Sequence, residues 1–347
     1  MKLFIKVLII LVSFLFYNSN VRAQNIFDSG ELIQVDSDRI EILESHLNTP
    51  YRMDFVLSEE FLAITDIDNV PALHIVKINS DGQFEYFRSI GREGRGPGEY
   101  INPSDIVSGL NDELFYVYDA GNRKIVPYNS NFEALTNEEI SLQAQGMPVS
   151  LQKVGDNFLA TGVNVGSKFF IVNNDGNVAN RVGEDISLGN NVPPNALALA
   201  WHSYSTVSTQ QNKIAIFARS ADFAEVFDLE SLEKVDVFYN EDFRVPALRV
   251  EESGGSPRLM PTDRAKTTFL WVTSTEDKIF ALYSGRSISH ESDNYGDIVV
   301  VFDWELNVLN TFKLDHDSFS ILATDDENLY SIQHYPAPAI RYVDLDF

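Results

Sequence analysis

Four glycines at positions 91, 94, 96 and 98, stiffened by Pro97, stand among Arg88, Arg92 and Arg95. Glycine frees the backbone to take positive φ, and successive N–H groups can then form a concavity that holds an anion. With three guanidiniums beside it, this segment predicts a pocket for a carboxylate, phosphate or sugar acid. Its ligand-binding residues would be Arg88, Arg92, Arg95, Glu99 and Tyr100. The same residues also fit a tight connection in which the arginines pair with Glu93 and Glu99. It is not a nucleotide loop, since no Lys-Ser/Thr follows and no helix pattern comes after it.

A second candidate is the Trp201-His202 pair. It lies in the irregular stretch 193–204, close to Tyr204. Aromatic and imidazole groups on such a loop would form one wall of a ligand pocket.

The remaining chemistry-bearing residues give no motif. His46, His74, His202, His290, His316 and His334 show neither the i, i+4 spacing of a zinc helix nor an HExxH phrase. Asp66, Asp68 and Asn69, and likewise Asp315 and Asp317, resemble the start of a calcium loop. Neither has Gly at the sixth position or Glu at the twelfth, so both read as solvated turns. The chain has no cysteine, which removes disulfides, thiolate zinc sites and a cysteine nucleophile. No Gly-x-Ser-x-Gly elbow is present. No catalytic residue, metal ligand or cofactor is assigned from the sequence.

With 51 acidic and 26 basic residues in 347, the formal net charge is −25. This argues against nucleic acid as a partner, because phosphate neutralisation needs clustered Lys and Arg. It equally disfavours docking on an anionic membrane. Residues 1–23 read as a secretory signal peptide. Lys2 and Lys6 precede the apolar run 7–17, and Val21-Arg22-Ala23 sets a cut before Gln24. Without them the chain carries −28, and residues 24–347 are expected as one exported domain, periplasmic or extracellular. No later stretch is apolar enough to span a bilayer.

These residues must be positioned by strands. Short β-branched and aromatic runs recur at 61–65, 73–78, 114–118, 124–128, 158–163, 168–172, 213–217, 224–227, 278–283, 298–302 and 328–332. The one helix expected is at 195–201. A phrase repeats, anchored on Ile78, Tyr128, Val172, Phe227, Phe302 and Val343, each just before a polar turn. The spacings are 50, 44, 55, 75 and 41. Six units of about four strands predict an all-β, six-bladed β-propeller. The sixth unit ends before its fourth strand, so residues 32–43 are expected to complete the last blade and close the ring. Residues 245–266 show little strand pattern and read as a long loop, as does 287–296.

Two segments carry a family resemblance. Residues 91–103, GREGRGPGEYINP, resemble the Gly-x-x-Gly-x-Gly-Pro-Gly-Glu-aromatic signature of the exported six-bladed TolB-like propellers of Bacteroidetes. Residues 116–128, YVYDAGNRKIVPY, resemble one NHL repeat, with Asp119, Asn122, Arg123 and Ile125 at matching positions. Asp119, Asn122 and Arg123 also read as a turn clasp, because Asp and Asn side chains cap nearby N–H groups. The resemblance implies a fold more than an activity.

The expected function is an exported binding or interaction module whose loops around the central channel face a small molecule, glycan or protein. The alternative is a propeller-type hydrolase or lyase with a divalent metal in the channel, which would need several convergent carboxylates and imidazoles.

Overall fold

The computed structural model describes residues 20–23, 26, 32–68, 70–79, 83–109, 114–144, 146–189, 192–253, 256–290, 292–324 and 328–345. Most of the expected leader, residues 1–19, lies outside this set. Three short strands come first: β1 (Asn20–Ala23), β2 (Ile33–Val35) and β3 (Asp38–Arg39). Six blades follow. Blade 1 is β4 (Pro50–Val56), β5 (Phe61–Asp66), β6 (Leu73–Ile78) and β7 (Phe84–Ile90). In the connection after it, β8 (Arg92–Glu93) pairs in parallel with β9 (Glu99–Tyr100). Blade 2 is β10 (Pro103–Ser108), β11 (Leu114–Asp119), β12 (Lys124–Asn129) and β13 (Ile140–Ser141). Blade 3 is β14 (Gly146–Val154), β15 (Asn157–Asn164), β16 (Phe169–Val172) and β17 (Val178–Val182). The helix α1 (Pro194–Ala200) leads into blade 4, which is β18 (Ser203–Ser208), β19 (Lys213–Ala218), β20 (Phe223–Asp228) and β21 (Lys234–Tyr239). A hairpin, β22 (Leu248–Ser253) and β23 (Ser256–Pro261), precedes blade 5. That blade is β24 (Phe269–Ser274), β25 (Lys278–Tyr283), β26 (Gly296–Asp303) and β27 (Val308–Ser318). Blade 6 is β28 (Ser320–Ala323), β29 (Asn328–Gln333) and β30 (Ala339–Asp344).

Each blade is antiparallel and ordered as in the chain. The first strand of each blade contacts the first strand of the next, and β28 returns to β4, so these six inner strands ring a central channel. The ring closes as expected, with β3 pairing antiparallel to β30 as the fourth strand of blade 6. The rest of residues 32–43 behaves differently. β2 adds in parallel to the outer edge of blade 5, and Glu41–Leu43 forms a 3₁₀ turn. β1 likewise adds in parallel to the outer edge of blade 4.

The repeating phrase has a local cause. Asn129, Asn173, Asp228 and Asp303 each accept backbone N–H groups two to four residues ahead, closing the turn between third and fourth strands. In blade 3 the turn also needs Gly176 at φ +79, because a Cβ there would collide with the Ser141 carbonyl. Between blades the contacts are aromatic. Phe217 meets Phe269 edge-on at 5.0 Å across blades 4 and 5, and Phe61 meets Phe132 at 4.9 Å across blades 1 and 2.

One expectation fails. Residues 245–266 are not an unstructured excursion but carry the β22–β23 hairpin. Its Leu248 and Leu259 pack with Trp201, Phe223 and Val237 over blade 4. The Ser-Gly-Gly-Ser-Pro phrase hid the strands on either side of it.

Candidate functional site

The inner strands share a distortion near their starts. The pairing register slips between Pro50 and Arg52, Pro103 and Asp105, Pro148 and Ser150, and Phe269 and Trp271. A bulge re-aims the side chain that follows it. In blades 1, 2, 3 and 5 that side chain is Arg52, Asp105, Ser150 and Trp271, the last drawn from the opposite side of the ring to Asp105.

Arg52 is buried at 2% exposure. Its guanidinium lies 3.7 Å from the Trp271 ring centroid, 4.4 Å from Tyr51 and 5.1 Å from Phe319. Its NH1 donates to the Tyr51 carbonyl at 2.8 Å, and its Nε has no acceptor among the described residues. Tyr204 stands edge-on to Trp271 at 5.3 Å, and His202 lies 5.0 Å from Tyr204. Burial, aided by Arg219 and Arg52 nearby, pushes the His202 imidazole down to about 3, so it is neutral. Its Nε2 is buried and has no hydrogen-bond partner among the described residues. Arg219 lies close enough to influence the Tyr204 hydroxyl, and its guanidinium donates to the Asn294 side chain. On the blade 6 side, the His334 ring stacks on Phe319 at 4.9 Å. His334 Nε2 is 2.6 Å from the Pro50 carbonyl, which only accepts, so that nitrogen carries the proton.

Five buried polar atoms without a hydrogen-bond partner among the described residues fall at this end. Arg52 Nε, Ser150 Oγ, His202 Nε2, Ser203 Oγ and Ser320 Oγ all lie on, or one residue before, inner strands near their starts. Buried donors without partners are rare in folded proteins, and such atoms mark a place for water or ligand.

The inner strands end at a different surface. A cavity of about 420 Å³ opens there, lined among others by Asp54, Glu59, Asp105, Thr206, Ser274 and Glu276, with no Lys or Arg. Trp271 and Asp105 form part of its wall. Burial pushes both Asp54 and Asp105 up to about 7, against opposing hydrogen bonds from Ser108 to Asp54 and from Leu151 N–H to Asp105.

The glycine-rich segment lies between blades 1 and 2. Its amides are taken by the protein itself: Gly96 N–H donates to Glu99 at 2.8 Å, and Gly98 N–H donates to Glu139. A Cβ at Gly94 would overlap the Glu99 carboxylate, so the glycine makes room for an internal anion. Asn122 and Lys124 donate to the carbonyls of Gly94 and Gly96, both at 2.9 Å. Tyr100 is buried, its hydroxyl 2.7 Å from that of Tyr128. Arg88 lies over Phe87 and reaches the Asn131 carbonyl; Arg92 and Arg95 are exposed. Arg88, Arg92, Arg95, Glu99 and Tyr100 are therefore neighbours in one connection, while Trp201 and His202 sit apart, at the start of blade 4. Trp201 is buried, donating to the Ile186 carbonyl at 2.9 Å beneath Lys168. Only His202 of the pair approaches the channel residues.

The clasp at the blade 2 turn is as read. Asp119 accepts N–H groups of Ile101, Asn102, Gly121 and Asn122. Asp66 does the same for Asn48 and Thr49 in blade 1, as a turn cap.

Among the described residues, no group of three or more His, Asp or Glu is placed to hold a metal ion. A Ser-His-Asp array does occur between blades 5 and 6. His316 Nδ1 is 2.7 Å from Asp315, and its Nε2 is 2.7 Å from Ser331 Oγ and 3.0 Å from Ser318 Oγ. Both serines are fully buried, so no substrate carbonyl reaches them.

Sequence reasoning missed Arg52, Arg219, Trp271 and Phe319. The signal was an arginine, an aspartate and a tryptophan at one equivalent place in the first strands of blades 1, 2 and 5.

Comparison with curated protein sequences returns no significant match. Among solved structures, that of U3-55K superposes with a TM-score of 0.53 at 9% identity, covering 86% of this chain and 96% of that one; at this identity the likeness concerns the fold alone. The β-propeller domain of Myceliophteria thermophila Cps50 (Swd1) follows with a TM-score of 0.48 at 10% identity, covering 86% of this chain and 97% of that one. The sequence model described as TolB-like 6-blade propeller-like matches residues 30–326. With six antiparallel blades ringed about a channel, the chain belongs to the TolB-like 6-blade propeller-like family.

Proposed function

We propose that the protein is a binding module that takes a small ligand at the mouth of its central channel where the inner strands begin. One observation carries this reading: Arg52 Nε, Ser150 Oγ, His202 Nε2, Ser203 Oγ and Ser320 Oγ, buried and without a hydrogen-bond partner among the described residues, all lie near the starts of the inner strands, the end that also holds Arg52 and its aromatic walls. Tyr51, Trp271 and Phe319 supply apolar contact, while His202, Ser203 and Ser320 supply polar contacts that fix orientation. The glycine-rich loop is left as a connection, since Glu99 and Glu139 already fill its amides.

A thermal-shift screen of the full chain against neutral sugars, amines and carboxylates tests the reading. A ligand that stabilises the protein and protects Trp271 fluorescence from acrylamide quenching supports it. Ligands that bind but leave Trp271 unprotected would move the site elsewhere.

We also infer export through residues 1–23, supported by the charged start, apolar run and small residues before Gln24. No helix among the described residues is long and apolar enough to cross a membrane. N-terminal sequencing of protein from the exported fraction should begin at Gln24, which would leave blade 4 without β1. The NHL-like character of residues 116–128 is kept as a proposal for blade 2 alone, where Asp119 and Asn122 make the clasp.

A further inference from the structure

Resting on that reading, the chemistry of the ligand follows from how this chain treats its buried cations. Three are buried among the described residues: Arg52, Lys124 and Lys168. Lys124 has Glu139 at 3.2 Å. Lys168 has Asp185 at 3.7 Å and Glu225 at 3.8 Å. Arg52 has no carboxylate within 4 Å among the described residues, although the chain carries 51 of them.

Its surroundings do not replace the missing anion. Asp105 on the next blade is the carboxyl that senses Arg52, but its two oxygens accept the Leu151 and Ile106 N–H groups at 2.7 and 3.0 Å. Burial leaves that carboxyl partly protonated near neutrality, so it is a weak counter-ion. Arg219, half-buried at the rim, also has a neutral side-chain partner among the described residues, Asn294, and lies near the Tyr204 hydroxyl. The neutral imidazoles of His202 and His334 add no negative charge. A buried guanidinium without a counter-charge is strongly disfavoured unless something else neutralises it.

We propose that the channel mouth binds its ligand through a carboxylate or similar small oxyanion, anchored by Arg52 with Arg219 at the rim, while Tyr51, Trp271 and Phe319 hold an apolar or ring-shaped body. A guanidinium is suited to this because its planar fork meets two oxygens at once. The bulges at Arg52 and Trp271 place fork and platform together from blades 1 and 5, on either side of blade 6.

Three probes of one shape and different charge test the class: benzoate, benzylammonium and benzyl alcohol, added to the full chain at constant ionic strength. Calorimetry should show benzoate binding, with the other two at least tenfold weaker. Arg52→Met should lower benzoate affinity by roughly 10- to 100-fold, the range for charged hydrogen bonds. In probe-free buffer the same variant should melt at or above the wild-type temperature, because an unpaired buried charge has gone. Arg219→Gln should lower affinity by roughly 3- to 10-fold. If Arg52→Met does not fold, Arg52→Lys keeps the charge without the fork and should bind benzoate roughly tenfold more weakly. Equal benzoate affinity in the Arg52 variants would overturn the proposal. Preference for benzyl alcohol or benzylammonium would overturn the anion while keeping a channel-mouth ligand. Failure of all three probes to bind would overturn both.

Discussion

The two ends of the channel are built from the same six strands and have opposite character. At the end where the strands begin stand Arg52 and Arg219, set among aromatic rings, with no carboxylate within 4 Å of either among the described residues. At the end where they finish stand Asp54, Glu59 and Glu276 with a row of hydroxyls, and no Lys or Arg lines that cavity. Arg52 and Asp54 are two residues apart on β4, so along that strand only about 7 Å separates the two fields. The Arg52–Trp271 stack lies between them, with Trp271 also forming part of the acidic wall. A strongly acidic chain thus keeps one buried place where an arginine is unneutralised. The difference teaches that the net charge describes the surface and the acidic end, but not the mouth around Arg52.

The comparison breaks most easily at its shared partition. Trp271→Ala removes the ring that carries Arg52 and leaves a cavity beside Tyr204. The expected loss is roughly 3–5 kcal/mol, measured by chemical denaturation. Arg52 would then lie open to the acidic cavity, and benzoate affinity should fall with stability. Unchanged stability would mean that the two ends are not divided by this ring.

The acidic end is sharpened by pH. Burial raises Asp54 and Asp105 from 3.8 to about 7, so the folded state holds protons that the unfolded chain releases. Stability should therefore fall as pH rises from about 4 to about 7. Asp54→Asn mimics the protonated side chain, and its carbonyl can still accept from Ser108. It should flatten this slope and raise stability at pH 8 by about 1 kcal/mol, a figure reduced because the group is partly solvated. Asp105→Asn should behave in the opposite way. Both Asp105 oxygens accept backbone N–H groups, and an amide would set its NH₂ against one of them, costing roughly 1–3 kcal/mol. Matching pH profiles for the two variants would show that the carboxyls do not sit in these two environments.

The strands legible in the sequence were the middle ones. The runs at 61–65, 73–78, 114–118 and 124–128 correspond to β5, β6, β11 and β12, and every other run read as strand is also the second or third of its blade. Both faces of a middle strand meet neighbouring blades, which makes it a continuous apolar run. An inner strand turns one face to the channel, and its sequence is mixed, as in SYSTVS or PSDIVS. That mixture hides the strand, and it is also where the side chains of the proposed binding site sit. The repeating phrase was legible because in blades 2 to 5 the turn after the third strand is locally encoded by Asn or Asp. Arg52 was not legible, because its meaning depends on Trp271, more than 200 residues away. The glycine-rich loop stood out for a local reason and proved to be self-satisfied.

The smallest effects are expected at that loop, and they separate it from the mouth. Arg92 and Arg95 are exposed and, among the described residues, make no ion pair. Arg92→Ala with Arg95→Ala should change stability by no more than about 0.5 kcal/mol, and benzoate affinity by less than twofold. Glu139→Gln is the informative contrast in the same connection. It removes the charge that receives Gly98 N–H and pairs with the buried Lys124. Stability should drop by roughly 1–3 kcal/mol while benzoate affinity stays unchanged. A loss of anion binding in the double arginine variant, with Arg52 intact, would transfer the anion site from the channel mouth to the loop, where glycines and guanidiniums first suggested it.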